Sequence, residues 1–133
     1  MSTKTVGSVG LYLVNGTAGK VGTPGAPIFH FSLLVNAVTG AVTGHGKLTQ
    51  AVAPPLGDIP IVITSGQVHS TGFGSFTKVV SLKGDGFVSF PPPAIGSYLL
   101  PFTAAFAVDD AWNGVGGWTL GQEKVENAPV KSE

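Results

Sequence analysis

The stretch DDAWNGVGGW, at residues 109–118, contains both tryptophans of the chain beside two adjacent carboxylates. An exposed indole ring can stack on the apolar face of a sugar, with polar groups beside it fixing the orientation of the ligand. The candidate ligand-binding residues are therefore Trp112, Trp118, Asp109 and Asp110. The spacing of the acidic residues differs from that of the oxygen ligands in a calcium-binding loop. Because neighbours on a strand point to opposite faces, Asp109 and Asp110 do not form a catalytic pair.

The same stretch also fits a buried hairpin. Asn113-Gly114 is typical of a two-residue turn, in which Trp112 faces Val115. An unbroken ladder behind that turn would place Trp118 on the outer face, whereas a bulge at Gly116-Gly117 would turn it to the core side. Burial of about 200 Å² of indole at about 25 cal/mol per Å² favours the bulge by a few kcal/mol. The sequence thus favours two buried tryptophans with the acids as surface charge at the turn, and the ligand platform stays as the alternative.

Three histidines are the other candidates for chemistry, and each lies on a different predicted strand. If residues 37–40 form a four-residue loop, Ser32 faces His45, and Gly46 joins the phenylalanine face, where it leaves room for a bulky partner. His30 then lies diagonal to His45, about 7 Å away on the polar face. The histidines are therefore interpreted as exposed, with no metal site. Because no Gly-x-Ser-x-Gly elbow or phosphate-binding glycine loop occurs, the sequence predicts no catalytic residues and no cofactor.

The composition excludes several classes of partner and site. The chain of 133 residues has no cysteine, so it forms neither disulfides nor thiolate metal sites. Its seven basic residues are all lysines scattered along the chain, and its net charge is zero, so nucleic acid is not expected as a partner. Weak charge repulsion and a hydrophobic content of 43% instead predict association, as a homo-oligomer or with another protein.

The sequence carries no signal for insertion into a membrane. No run approaches the roughly 20 apolar residues of a membrane span, and the apolar patch near the N-terminus is shorter than that of a signal peptide. We therefore expect a cytoplasmic protein, while export without a cleaved signal peptide stays open.

Apolar residues alternate with period two along most of the chain, which predicts an all-β fold. The expected core combines residues of two such segments: Phe29, Phe31, Leu33 and Val35 with Leu100, Phe102 and Phe106. The predicted strands lie at 6–14, 27–37, 41–52, 59–70, 75–83, 87–90, 98–108 and 115–122, with an Asp-Gly hairpin at 83–86. The fold is predicted as an antiparallel β-sandwich or small barrel of about eight short strands. Residues 1–122 would form a single β-domain, and the polar residues 123–133 a disordered tail.

Two stretches carry a resemblance to known proteins. SLLVNAVTGAVTGHGKLTQAVAPP (32–55) and FTAAFAVDDAWNGVGGWTLG (102–121) resemble a family of small bacterial proteins of unknown function. The resemblance extends from the first strand to Gly121 and implies a small β-protein from a bacterium. Because the function of that family is unknown, the resemblance implies no active residue.

Two functions fit these observations. The first is a non-enzymatic structural or protein-interaction domain, favoured by the missing catalytic constellation, the low charge and the many glycine-rich loops. The alternative is a lectin-like module that binds a small ligand or a carbohydrate through aromatic side chains on loops at one end of the fold. Solvent exposure of an aromatic cluster beside polar groups would discriminate between them.

Overall fold

The computed structural model shows a closed barrel of eight antiparallel strands, and no helix occurs among the residues that it describes. These are residues 10–20, 22, 26–49, 58–71, 74, 77–89 and 93–133. The strands are β1 (Leu11–Ala18), β2 (Ile28–Asn36), β3 (Val42–Thr49), β4 (Ile59–Ser70), β5 (Lys78–Ser89), β6 (Ser97–Val108), β7 (Gly114–Leu120) and β8 (Glu123–Ser132). Each strand pairs with the next, and β8 pairs with β1. The all-β prediction is confirmed, and the architecture is the barrel. Within the described ranges, no helix could cross a membrane.

Aromatic side chains fill the interior of the barrel. Alternate residues of each strand point inward, and the ring of Phe29 lies 4.8 Å from that of Phe102 and 6.1 Å from that of Trp118, between centroids. Eight strands enclose a space just wide enough to be filled in this way. The predicted core residues are buried, except that Leu100 is half-buried against the edge of the core.

Inward-facing glycines make room for these rings. Phe31 lies between Gly16 of β1 and Gly46 of β3, which confirms the predicted register of the first hairpin. A Cβ atom at Gly16 would lie 2.7 Å from Cζ of Phe31 and closer still to the backbone oxygen of Lys131, so no larger residue fits there without displacing both the ring and the backbone of β8. Phe106 faces Gly116 of β7 in the same manner. The size alternation between facing strands therefore allows six-membered rings to pack across a narrow barrel.

Strand β5 corrects the predicted hairpin at residues 83–86. These residues lie within one continuous strand, so the two short strands predicted at 75–83 and 87–90 form a single element, with residues 75, 76 and 90 outside the described part. The inward positions keep period two through Leu82, Gly84, Gly86 and Val88. Neither glycine has the positive φ that an Asp-Gly hairpin turn requires. The prediction was wrong because the two glycines serve the interior and not a turn.

Strand β8 corrects the predicted disordered tail, and with it the domain boundary at residue 122. Residues 123–132 form a strand in which Ala128 and Val130 are buried. Val130 faces both Gly114 of β7 and Ala18 of β1. Because closure of the barrel supplies hydrogen-bond partners on both sides, a segment with few apolar residues becomes ordered. The expected number of eight strands is correct only because two errors cancel: two predicted strands merge into β5, and β8 adds a strand that was not predicted.

Strand β1 also differs from its prediction. It covers Leu11–Ala18, whereas the alternation predicted residues 6–14, of which 6–9 lie outside the described part. The strand continues past its predicted end at residue 14, through Gly16 to Ala18. Gly16 faces Phe31, so this glycine again reflects interior packing and not a turn.

Candidate functional site

The loop between β6 and β7 contains most of the residues singled out as a ligand site. It runs over residues 109–113, because Val108 already faces Gly114 across the ladder, so the predicted two-residue turn is wrong. Oδ1 of Asp109 accepts hydrogen bonds from the backbone N–H groups of Ala111 (2.9 Å) and Asn113 (3.0 Å). An aspartate that binds backbone groups further along the chain stabilises a wider turn. The aspartate therefore selects the five-residue loop.

Both tryptophans are buried, as predicted. Trp112 is 0% exposed and Trp118 is 3% exposed. The cause differs from the prediction, because the odd length of the loop already makes Trp118 face Ala104 on the core side. A bulge does occur beside Gly117, but its extra residue belongs to β8, where Asn127 has a φ of 55°. Neither indole ring offers an open face at the surface.

The second acid of the loop anchors it to the neighbouring strand. Oδ1 of Asp110 accepts a hydrogen bond from Oγ1 of Thr77 (2.7 Å) and pairs with Nζ of Lys78 (2.9 Å) at the start of β5. On the other side of the loop, Oδ1 of Asn113 accepts a hydrogen bond from the backbone N–H of Ser132 (3.0 Å). The polar groups of the opening stretch thus hold the end of the barrel together.

The histidines lie where the register prediction placed them. Ser32 faces His45, and His30 faces Lys47, so the two histidines are diagonal neighbours on the outer face of β2 and β3. Nε2 of His30 lies 3.3 Å from Oγ1 of Thr49. His69 is exposed on β4. Across the described residues, no group of three or more histidine, aspartate or glutamate side chains is placed to hold a metal ion.

A groove crosses the outer face of the barrel over β5 to β8. Its floor is a row of cross-strand neighbours with small side chains, Ser81, Ala105 and Gly117. The next row forms its wall and is polar: Lys83, Thr103, Thr119 and Lys124. Because the residues of the floor have almost no side-chain volume, the outer surface is lower there than at the neighbouring rows of residues.

The charges along this groove differ in their pairing. Nζ of Lys124 lies 2.9 Å from Oε1 of Glu126. This hydrogen bond and the charge of the partner raise the pKa of Lys124 and lower that of Glu126. Lys83 and Asp85, two positions apart on the outer face of β5, have no ion pair or side-chain hydrogen bond with any other described residue.

Large apolar side chains stand beyond Asp85 on the same face. Phe87 of β5 faces Leu99 of β6, and these side chains are 41% and 56% exposed. A second exposed apolar pair, Leu13 and Leu34, lies on β1 and β2. Burial of such groups against a partner is favourable by roughly 25 cal/mol per Å².

Sequence reasoning missed the groove and the unpaired charges. The alternation does place Ser81 and Ala105 outward, but recognising a row across three strands requires the register of each strand pair. Lys83 and Asp85 had been assigned to a turn, and Lys124 and Glu126 to a disordered tail. The continuous strand β5 could have been detected from the uninterrupted alternation between Val80 and Val88, provided that glycine is counted as an inward residue.

Comparison with the models of known protein families gives a match. The model of a family described as "Domain of unknown function (DUF1842)" matches residues 9–124. The chain belongs to this family. The matched DUF1842 segment includes β1 to β7 and ends at the beginning of β8. No curated protein matches the sequence.

Proposed function

We propose that this DUF1842 protein is a non-enzymatic interaction domain that binds proteins, including further copies of itself, through the outer face of its barrel. The exposed pair of Phe87 and Leu99 is the observation that carries the proposal, because it leaves apolar surface in water on a rigid sheet. The aromatic packing inside the barrel supports it as well, since a filled interior directs binding to the outside.

The charge balance also supports association. The chain has seven basic and seven acidic residues and no net charge at neutral pH, so two copies approach without long-range repulsion. Sedimentation velocity between about 1 and 100 μM, the range of weak protein contacts, tests the proposal. A sedimentation coefficient that rises with concentration is the expected result. A monomer throughout, together with no interface in a solution structure, would contradict self-association.

A small-ligand or carbohydrate-binding function is the second candidate, and the groove over β5 to β8 favours it. The groove has a volume of about 710 Å³, within the range of roughly 300–1,000 Å³ of ligand sites. Hydroxyl groups of Thr103 and Thr119 and the charges of Lys124 and Glu126 line it. These groups could hydrogen-bond a sugar, but the aromatic ring nearest to them, Trp118, is buried.

Filling the floor of the groove tests the carbohydrate candidate. Ala105→Leu places a branched side chain at the exposed floor position, and Ala107→Leu, one row along the same strand, is the matched control. Binding of an oligosaccharide panel, measured by saturation-transfer NMR, would be lost in the first variant and kept in the second if the groove is a sugar site. Absence of binding to the unmodified protein would remove the carbohydrate candidate.

A further inference from the structure

We propose that two copies of the chain form a symmetric dimer in which Phe87 and Leu99 of each copy occupy the groove floor of the other. The contact surface, called the docking face below, consists of Ser81, Lys83, Asp85 and Phe87 of β5 with Leu99 and Ala105 of β6. The inference rests on the proposed function, and it specifies the partner and the surface.

The docking face carries a raised end and a depressed end. Phe87 and Leu99 form the raised row, and Ser81 and Ala105 belong to the depressed row, six residues away along β5 and β6. At about 3.3 Å per residue, the two rows lie roughly 20 Å apart. They cannot meet within one molecule, so only a second molecule can bring them together.

The charges between the two rows fit a second copy. Lys83 and Asp85 lie midway between the depressed and the raised row, and neither has a charged partner among the described residues. Asp85 is half-buried, so its charge is less accessible to water than that of a fully exposed acid. A lysine and an aspartate in adjacent outward positions are self-complementary, because reversal of the strand direction superimposes each charge on its opposite.

One symmetry operation satisfies both features at once. A twofold axis that lies between the two sheets, perpendicular to the strands and level with residue 84, makes the β5 strands antiparallel. Lys83 of each copy then faces Asp85 of the other. By the same operation Phe87 of each copy faces Ser81 of the other. Because Leu99 pairs with Phe87 and Ala105 pairs with Ser81, Leu99 of each copy also faces Ala105 of the other. This one arrangement therefore forms two ion pairs at the centre and places large side chains over the small-residue floor at each end.

Charge reversal at the centre of the docking face tests this arrangement. Lys83→Asp places two acids opposite each other at each central contact, and Asp85→Lys places two lysines there. We expect each variant alone to dimerise at least about tenfold more weakly than the unmodified chain, because like charges are brought together. An equimolar mixture of the two variants restores opposite charges at both contacts and should regain the dimer. Sedimentation velocity measures all three samples, and circular dichroism verifies that each variant is folded.

Two controls keep the test decisive. Lys131→Asp reverses an exposed charge on β8, opposite Thr17, outside the docking face, and should leave dimerisation unchanged. Phe87→Ser should weaken the dimer, whereas Leu13→Ser, at the other exposed apolar pair, should not. These variants also decide the question if Asp85→Lys fails to fold.

The outcomes distinguish this inference from the proposed function. Dimers that persist in both charge variants, or that are lost only in Leu13→Ser, would overturn the docking face while self-association stands. A mixture that does not recover would likewise show that the two charges do not face each other. An unmodified chain that stays monomeric up to about 100 μM, where even weak contacts are populated, would overturn both self-association and the dimer.

Discussion

Large side chains and small residues occur together both inside the barrel and on its outer face, but only in the interior do they lie opposite each other. Inside, Phe31 lies between Gly16 and Gly46, its direct cross-strand neighbours, so ring and space meet within one chain. Outside, Phe87 stands six positions from Ser81 on the same strand and cannot reach the depressed floor of its own molecule. The same combination of residue sizes therefore stabilises the fold in one region and leaves an unfilled surface in the other.

This difference indicates how glycine and small residues should be interpreted in such a sequence. In the interior they appear at alternate positions beside aromatic residues of the neighbouring strand, as Gly116 does beside Phe106. On the outer face they form a row across strands, such as Ser81, Ala105 and Gly117. The first pattern contributes to the stability of one chain, and in the proposed dimer the second would contribute to contacts between chains.

Removal of an interior ring should have the largest effect. Phe31→Ala leaves a cavity bordered by two glycines that have no side chains to fill it, so we expect a loss of about 3–5 kcal/mol in the free energy of unfolding. Phe87→Ala, on the outer face, is the matched control and should cost less than about 1 kcal/mol. Urea denaturation at about 1 μM protein, the lower end of the range of weak association, measures both. Equal losses in the two variants would show that the interior does not depend on these rings.

Addition of a methyl group inside should have the next largest effect. A Cβ atom at Gly86 would lie 2.5 Å from Cδ1 of Leu120 and 3.1 Å from Cδ1 of Ile61. Gly86→Ala should therefore destabilise the chain by about 1–3 kcal/mol through overpacking. In the Leu120→Val background the added cost should be smaller, since valine lacks the δ-methyl groups. A double-mutant cycle measures this coupling, and strictly additive losses would contradict the contact.

The two acids of the β6–β7 loop should differ by a smaller amount. Asp109→Ala removes two hydrogen bonds to the backbone of the loop that contains Trp112, so we expect a loss of about 1–2 kcal/mol. Asp110→Ala removes the ion pair with Lys78 and the hydrogen bond from Thr77, and because the carboxylate is 83% exposed it should cost less than about 1 kcal/mol. Iodide quenching of tryptophan fluorescence should increase only in the Asp109 variant. The reverse order of the two losses would indicate that the ion pair, and not Asp109, holds the loop.

The period-two pattern was sufficient to predict the fold class, the core face of β2 and the register of the first hairpin. Each of these depends on local alternation and on one short loop. The pattern failed where glycine could serve either a turn or an interior, as at Gly84 and Gly86. It failed again at β8, because the stability of that strand comes from two neighbours that are distant in sequence. The length of the β6–β7 loop depends on hydrogen bonds to the side chain of Asp109, whereas the Asn113-Gly114 pair predicted a shorter turn.

The candidate site was less accessible to sequence reasoning. Trp112 and Trp118 could be assigned to the interior by the free energy of burying indole, although the predicted turn and bulge were wrong. The rows of the docking face can be recognised only once the pairing of β5 with β6 is known, and the groove requires the pairing of β6 with β7 as well. Side-chain types alone placed Lys83 and Asp85 in a turn, and residues in a turn do not indicate a charged pair on the face of a strand.

Distances between two copies test the dimer most directly. Because the chain has no cysteine, Ser89→Cys provides a single site for a spin label, on the exposed side of β5 and outside the docking face. The twofold axis at residue 84 places the label of the second copy ten residues along the strand. With about 3.3 Å per residue and about 10 Å between facing sheets, pulsed electron paramagnetic resonance should give a distance of about 35 Å. A distance below about 25 Å, or no dipolar coupling at dimer-forming concentrations, would contradict the docking of the outer faces.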